Sequence, residues 1–270
     1  MAMVINTNIA SLTAQRHLAS SRNEMETSME RLASGSRINS AMDDAAGLTI
    51  VHQLDAKITG LNQAVRNGND GIAMIQVAEG ALEEISGILT RMKELTVQAS
   101  SGTYSDDDRT AMSAEFVDLY TEMTRITDNT DFNGTAVIGA AATIDIQVGD
   151  GAAADDAITI TTTDSADSTL NVAITSVSLA EAANALVDTA IGVVDTQRAD
   201  LGAVANTLEH AVSNAMSRIE HQSAARSRIE DTDFATESAN LVRTQVLQQA
   251  GTAILAQANA STQNVLSLLK

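Results

Sequence analysis

Hydrophobic positions recur along this chain at steps of three and four over most of its length. From Leu54 the apolar set runs Leu54, Ile58, Leu61, Val65, Ile72, Ile75, Ala78, Leu82, Ile85, Leu89 and Met92, with Gly68 in the gap after Val65. Such a stripe is one face of a long helix that packs on other helices. Alternating fours and threes give a period of 3.5, the spacing of left-handed coiled packing. The pattern stops at Gly102. Ser105 with Asp108 three residues on predicts a helix start, and Asp106, Asp107 and Asp108 suit the positive end of that helix. Its seam is Met112, Phe116, Leu119, Met123 and Ile126, and Asn133-Gly134 predicts a turn beyond it.

The period changes between residues 135 and 178. Ile144-Asp145-Ile146-Gln147-Val148 and Ile158-Thr159-Ile160-Thr161 alternate, which predicts a β-hairpin with one apolar face. No Lys or Arg lies between Arg125 and Arg198, while eleven Asp or Glu do. Residues 145–178 are therefore expected to face solvent, with the Ser- and Thr-rich stretch 161–178 as a loop tip. Helical seams return with Ala183, Leu186, Ala190 and Val193, then Leu201, Val204, Leu208, Ala211, Ala215 and Ile219. A polar break over 227–236 precedes a last seam of Leu247, Gly251, Ile254, Ala258, Ser261, Val265 and Leu268. The N-terminal stretch gives a weaker one: Ile5, Ile9, Leu12, then Leu18, Met25, Met29 and Leu32.

The expected fold is mainly α, a long antiparallel coiled-coil-like helical rod with a small β-hairpin region at the central excursion. Residues 1–43 and 231–270 are expected to pair as terminal helices. Residues 44–230 form the rest, with the hairpin at about 135–178. The terminal helices hold few large apolar residues, and short isolated helices are marginal in water. Ordering them costs roughly 1–2 kcal/mol per residue of backbone. Ile5, Ile9, Leu12, Leu247, Ile254, Val265 and Leu268 are thus expected to be assembly residues that gain their partners from other molecules.

Composition narrows the function. Asp and Glu number 35 against 16 Lys and Arg, a formal net charge of −19. That charge repels nucleic acid and anionic lipid, so neither nucleic acid nor membrane is an expected partner. No run of 18 apolar residues occurs, so no membrane-spanning helix is expected. The N-terminus lacks the apolar core of a cleaved signal. Cysteine is absent, which removes thiolate metal sites and Cys nucleophiles. Proline is absent too, where average usage would give roughly 13, so nothing interrupts long helices.

Catalytic constellations are missing. His17, His52, His210 and His221 are scattered, and no H-E-x-x-H, phosphate loop or G-x-S-x-G occurs. Asp131-Phe132-Asn133-Gly134 lacks the remaining ligands of a calcium loop. Asp43 and Asp44 point apart on a helix, so capping a helix start accounts for them better than acid–base work. No enzyme activity, metal or cofactor is expected. A self-assembling structural rod and a secreted coiled-coil translocator or adaptor both remain, and concentration-dependent fibre growth separates them. In the Ser- and Thr-rich stretch, Ser165, Ser168, Thr169 and Ser176 are the candidates for O-glycosylation.

Longer motifs carry a resemblance. Val4-Ile5-Asn6-Thr7-Asn8, Arg31-Leu32-Ala33-Ser34-Gly35-Ser36-Arg37-Ile38-Asn39-Ser40-Ala41 and Asp43-Asp44-Ala45-Ala46-Gly47 resemble the N-terminal signature of bacterial flagellins. Ser227-Arg228-Ile229-Glu230-Asp231, Gln248-Gln249-Ala250-Gly251 through Ala256-Gln257-Ala258-Asn259, and Asn264-Val265-Leu266-Ser267-Leu268-Leu269 resemble the C-terminal one. The likeness covers about 1–135 and 179–270, with Met42 where the family usually has Lys. It implies an extracellular flagellar filament subunit for swimming motility, in a short form without large outer domains. The implied partners are other copies of the chain, an export chaperone at the C-terminal segment, and filament cap and hook-junction proteins. Export is implied through the flagellar type III apparatus without a cleaved signal. A hook–filament junction protein is the alternative within the family. The family is also read by an animal innate receptor of the Toll-like class, and Arg91, Glu94 and Leu95 with Glu115 resemble that epitope and a filament contact.

Overall fold

The computed structural model describes residues 7–139, 142–151, 156–163 and 168–267. Five helices dominate these residues: α1 (Ile9–Ser34), α2 (Ala45–Ala99), α3 (Asp106–Asn129), α4 (Val177–Glu230) and α5 (Phe234–Ser267). Two small antiparallel hairpins, β1 (Asp131–Phe132) with β2 (Thr135–Ala136) and β3 (Ala142–Gln147) with β4 (Ala157–Thr162), lie between α3 and α4. The fold is mainly α, as the periodicity predicts. The chain divides into two compact units, residues 57–220 and residues 1–56 with 221–270.

In the unit 57–220 the large side chains make the core. Leu82, Ile85, Leu89 and Met92 of α2, Phe116 and Met123 of α3, and Val187 and Leu208 of α4 are fully buried. α2 and α4 are antiparallel: Thr96 reaches Asn184, Lys93 pairs with Asp188, and Arg198 pairs with Glu79 at 2.7 Å. Gly68 fills its gap for a reason, because a Cβ there would lie 2.6 Å from Val212 of α4. The predicted start of α3 is a capping box: Ser105 Oγ accepts from the Asp108 amide, and Asp108 accepts from the Ser105 amide at 3.0 Å. Sequence reasoning did not foresee Arg109. It is 6% exposed and donates to Ala99 O, Ser101 O and Asp106, clasping the end of α2 to the start of α3.

Asn133 and Gly134 both have positive φ, 54° and 79°, in the two-residue loop between β1 and β2. That conformation suits the right-handed strand twist, so the predicted turn closes a hairpin of its own. In the larger hairpin Ile144 faces Ile160 and Ile146 faces Ile158. The stretch expected to face solvent does so only in part. Ile160 is 1% exposed, and Leu170 and Ile174 are fully buried in the helical core. The Ile174 amide donates to Ser113 Oγ of α3. Leu170 and Ile174 are isolated apolar residues in a Ser- and Thr-rich run, yet they seat the segment on the helical core. The α4 seam also shifts. Val187 and Val194 are buried, whereas Leu186 is half-buried and Val193 exposed. Both pairs are apolar neighbours, and the 4-3 spacing alone does not choose between them. α4 also contains an 18-residue window of mean hydropathy 1.4, long and apolar enough to cross a membrane by length and composition. A search for uninterrupted apolar runs overlooks it because polar residues interrupt the alanines and valines. Its Ala180, Ala183, Val187, Val194 and Leu201 face the core of the unit.

In the other unit, α1 and α5 run antiparallel with Cα atoms within 8 Å of each other. The loops beside them are tied by backbone bonds: Ser36 bridges Asp231, Arg37 N donates to Glu230 O at 2.6 Å, and Thr232 N donates to Gly35 O at 2.9 Å. Of the neighbouring carboxylates, Asp44 caps the start of α2 by accepting from Gly47 N. Asp43 instead accepts from Asn39 N, Ser40 N and Ser40 Oγ, which fixes the preceding loop and holds its carboxyl below the ordinary value.

Candidate assembly surface

The closeness of α1 and α5 follows from which residues meet. The covered face of α1 includes Ser11, Ala14, Leu18, Ser21, Met25, Ser28 and Leu32, and that of α5 includes Glu237, Leu241, Thr244, Gln248, Gly251, Leu255 and Ala258. Both sets step by three and four, a heptad seam in which Leu18, Met25, Leu32, Leu241 and Leu255 are interspersed with small and polar residues. Asn8 Nδ2 donates to Ala258 O, and Leu18 lies 3.2 Å from where a Gly251 Cβ would stand. That register sets large against small: Leu18 on Gly251, Met25 level with Thr244, Ala14 level with Leu255.

Other large apolar residues of the pair point outward. Ile9, Leu12, Met29, Phe234, Val242, Val246, Leu247 and Ile254 range from 49% exposed at Leu247 to 64% at Ile9. The seams read from hydrophobicity thus trace the outward face at Ile9, Leu12, Met29, Leu247 and Ile254, and meet the covered face at Leu18, Met25 and Leu32 of α1 and at Gly251 and Ala258 of α5. Ile5 and Leu268 lie outside the described residues, as does the side chain of Val265. Large apolar side chains exposed in this number on one helix pair point to an interaction site. Charge favours crowding there. The unit 1–56 with 221–270 carries ten acidic and eight basic residues, a net −2, and the remaining 25 acidic and eight basic residues give 57–220 a net −17. After Arg243, α5 has no charged residue among the described ones.

A second cluster lies on α2 and α3. Arg91 Nε donates to Glu115 at 2.9 Å and Nη1 to Glu94 at 2.8 Å, with all three side chains about half exposed. Glu94 and Glu115 hold the guanidinium above its ordinary value. Leu95 is not with them. It is 1% exposed and belongs to the core, because the step from Arg91 to Leu95 crosses from the rim of α2 to its buried face. Of the glycosylation candidates, Ser165 and the side chain of Ser168 lie outside the described residues, and Thr169 is exposed. Ser176 is half-buried and accepts from the Leu179 amide at the start of α4. Among the described residues no three His, Cys, Asp or Glu side chains gather to hold a metal ion.

Comparison with known proteins shows the family. Residues 5–143 match the bacterial flagellin N-terminal helical region, and residues 185–269 match the bacterial flagellin C-terminal helical region. The chain belongs to the bacterial flagellin family. A flagellin of Halalkalibacterium halodurans is 41% identical over 276 residues, covering 99% of this chain and all of that protein. Flagellin A of Vibrio cholerae is 33% identical over an alignment of 382 residues that covers both chains completely. A crystal structure of Bacillus cereus flagellin is 29% identical and covers 56% of this chain and 88% of that one, with a TM-score of 0.49. The chain is accordingly a short flagellin, a structural subunit of the extracellular flagellar filament that serves motility. The two matched regions contain both α1 and α5 and the Arg91 cluster, and leave 144–184 unmatched.

Proposed function

We propose that copies of this flagellin polymerise through the outward apolar faces of α1 and α5. Residues 1–43 and 231–270 act as the assembling ends and 44–230 as the remainder. One observation carries the reading: the α1–α5 pair closes on a seam where Leu18, Met25, Leu32, Leu241 and Leu255 are interspersed with serines, alanines, threonine and glycine, and it still leaves Ile9, Leu12, Leu247 and Ile254 on its surface. Neighbouring copies cover those side chains. The near-neutral charge of this unit supports the reading, since like copies can meet there without strong repulsion. The test is polymer growth after salting out, read by sedimentation and negative stain. The double variant Leu247→Ser, Ile254→Ser is expected to keep the helicity of the monomer and lose sedimentable polymer. Polymer at the unsubstituted chain's threshold concentration overturns the reading.

The finer partners follow from family membership. The chain leaves the cell by the flagellar export route without a cleaved signal, with a chaperone on its C-terminal segment, and meets cap and hook-junction proteins at the filament ends. Abundance in a sheared extracellular fraction distinguishes a filament subunit from a hook–filament junction protein. A second reading rests on the Arg91–Glu94–Glu115 cluster, a half-exposed planar cation held between two carboxylates, which offers a Toll-like innate receptor a geometrically fixed feature. Arg91→Ala monomer is expected to signal less through that receptor than Asp107→Ala monomer, and equal signalling refutes it. Sugar on Thr169 or the neighbouring serines would raise the intact mass above that of the sequence.

A further inference from the structure

Beside the α1–α5 seam lies an open groove of about 410 Å³, and every residue that lines it is polar or charged. Its cations, Arg31 and Arg243, are matched by Glu24 and Glu237, so the groove has no net charge. Its hydrogen bonding is incomplete. Arg31 Nε is buried without a partner. Glu237 is 8% exposed, and its carboxylate reaches only Arg31, at 3.9 Å, too far for a hydrogen bond. Buried polar groups in folded proteins are paired as a rule, so the buried Arg31 Nε, beside a carboxylate beyond bonding distance, has room for a further partner. That partner must accept from a guanidinium and donate to a carboxylate without adding charge. A side-chain amide does both.

The chain itself supplies such amides. Gln245, Gln249 and Gln257 stand exposed on α5, on a stretch with no charge after Arg243. We propose that the groove is a docking slot for a second copy of this chain, entered by a glutamine of the neighbour's α5 that completes the bonding of Arg31 and Glu237. The slot rests on the reading that copies polymerise through the end unit, and it adds a polar lock that fixes where along α1 and α5 the neighbour stops. Sliding apolar faces tolerate many registers, whereas a paired buried polar contact selects one.

The test uses the full-length chain with cysteine introduced at groove positions, Asn23→Cys and, separately, Asn240→Cys. Both are expected to react with a bulky maleimide in the monomer and at least tenfold more slowly in the polymer. Equal rates in monomer and polymer overturn the slot while leaving polymerisation itself untouched. If both variants keep monomer helicity and fail to polymerise, the groove is confirmed as a contact between copies. Mixed polymers of Asn23→Cys with Gln245→Cys, Gln249→Cys or Gln257→Cys are then oxidised. A disulfide-linked dimer in one mixture identifies the entering residue, and none in all three overturns the assignment to α5. Absence of polymer from the unsubstituted chain would instead sink the underlying reading.

Discussion

The two units of this flagellin bring helices together with opposite choices of residue. In residues 57–220 the helices stand apart and the space is filled by Phe116, Leu82, Ile85, Leu89 and Met92, all fully buried. In the α1–α5 pair the backbones come close, and serine, alanine, threonine and glycine occupy much of the contact. Burial stabilises by roughly 25 cal/mol per Å² of apolar surface. Large side chains between helices therefore give the first unit a core that stands alone. The α1–α5 seam, half of it small residues, encloses less and leaves Ile9, Leu12, Leu247 and Ile254 on the outside. Proximity of helices and strength of their association are separate quantities here.

That contrast can be broken most forcefully at Phe116. Phe116→Ala opens a cavity in the self-sufficient core and is expected to cost about 3–5 kcal/mol, seen as a large drop in the main thermal transition by circular dichroism. Gly251→Leu attacks the close seam. With Leu18 only 3.2 Å from the position of the new Cβ, overpacking is expected to cost about 1–3 kcal/mol. Limited proteolysis should then trim the chain ends faster while the main transition stays in place. If Gly251→Leu moves that main transition as far as Phe116→Ala does, the two units are not closed independently. Ile254→Ser is expected to change monomer stability by no more than about 0.5 kcal/mol, since the residue is already 60% exposed.

The smallest effect is acidic. Asp108 is held below its ordinary carboxylate value by hydrogen bonds from Ser105, and Asp233 by hydrogen bonds from Thr236 and Ala235. A carboxyl lowered in the folded state stabilises above its unfolded value, and that contribution is lost as pH falls through the folded one. Both units should therefore weaken below about pH 4. Ser105→Ala should flatten the acid sensitivity of the main transition and leave proteolysis of the ends unchanged. Acid sensitivity of that transition unchanged by Ser105→Ala would show that Asp108 plays no part in it.

Much of this was readable from the residues alone. The capping box at Ser105 and Asp108, the hairpin face of Ile144 and Ile160, and the α2 stripe through Leu82 and Leu89 all follow from local spacing. What spacing could not show is which apolar face is used within the chain. Hydrophobicity finds large side chains, and on α5 these sit on both faces, so the seam through Leu247 and Ile254 is visible and the one through Glu237, Thr244 and Gln248 is not. Arg109 was hidden for a related reason. A charged side chain has no period, and its three bonds to the α2–α3 junction exist only once the loop has turned. Leu170 and Ile174 were lost among hydroxyls because single anchors carry no pattern.

The uneven distribution of charge has a consequence in the language of polyelectrolytes. Gathering many copies into one particle concentrates 17 negative charges per copy from residues 57–220 and only two from the rest. Such a particle must hold a dense sheath of sodium or potassium ions, and the work of assembling it depends on how thin that sheath can be made. At about 0.15 M salt the screening distance is about 8 Å, and at 0.01 M it is about 30 Å. Dilution into low salt should therefore push filaments toward shedding subunits, with the repulsion arising in the middle unit while the ends supply the contacts that resist it.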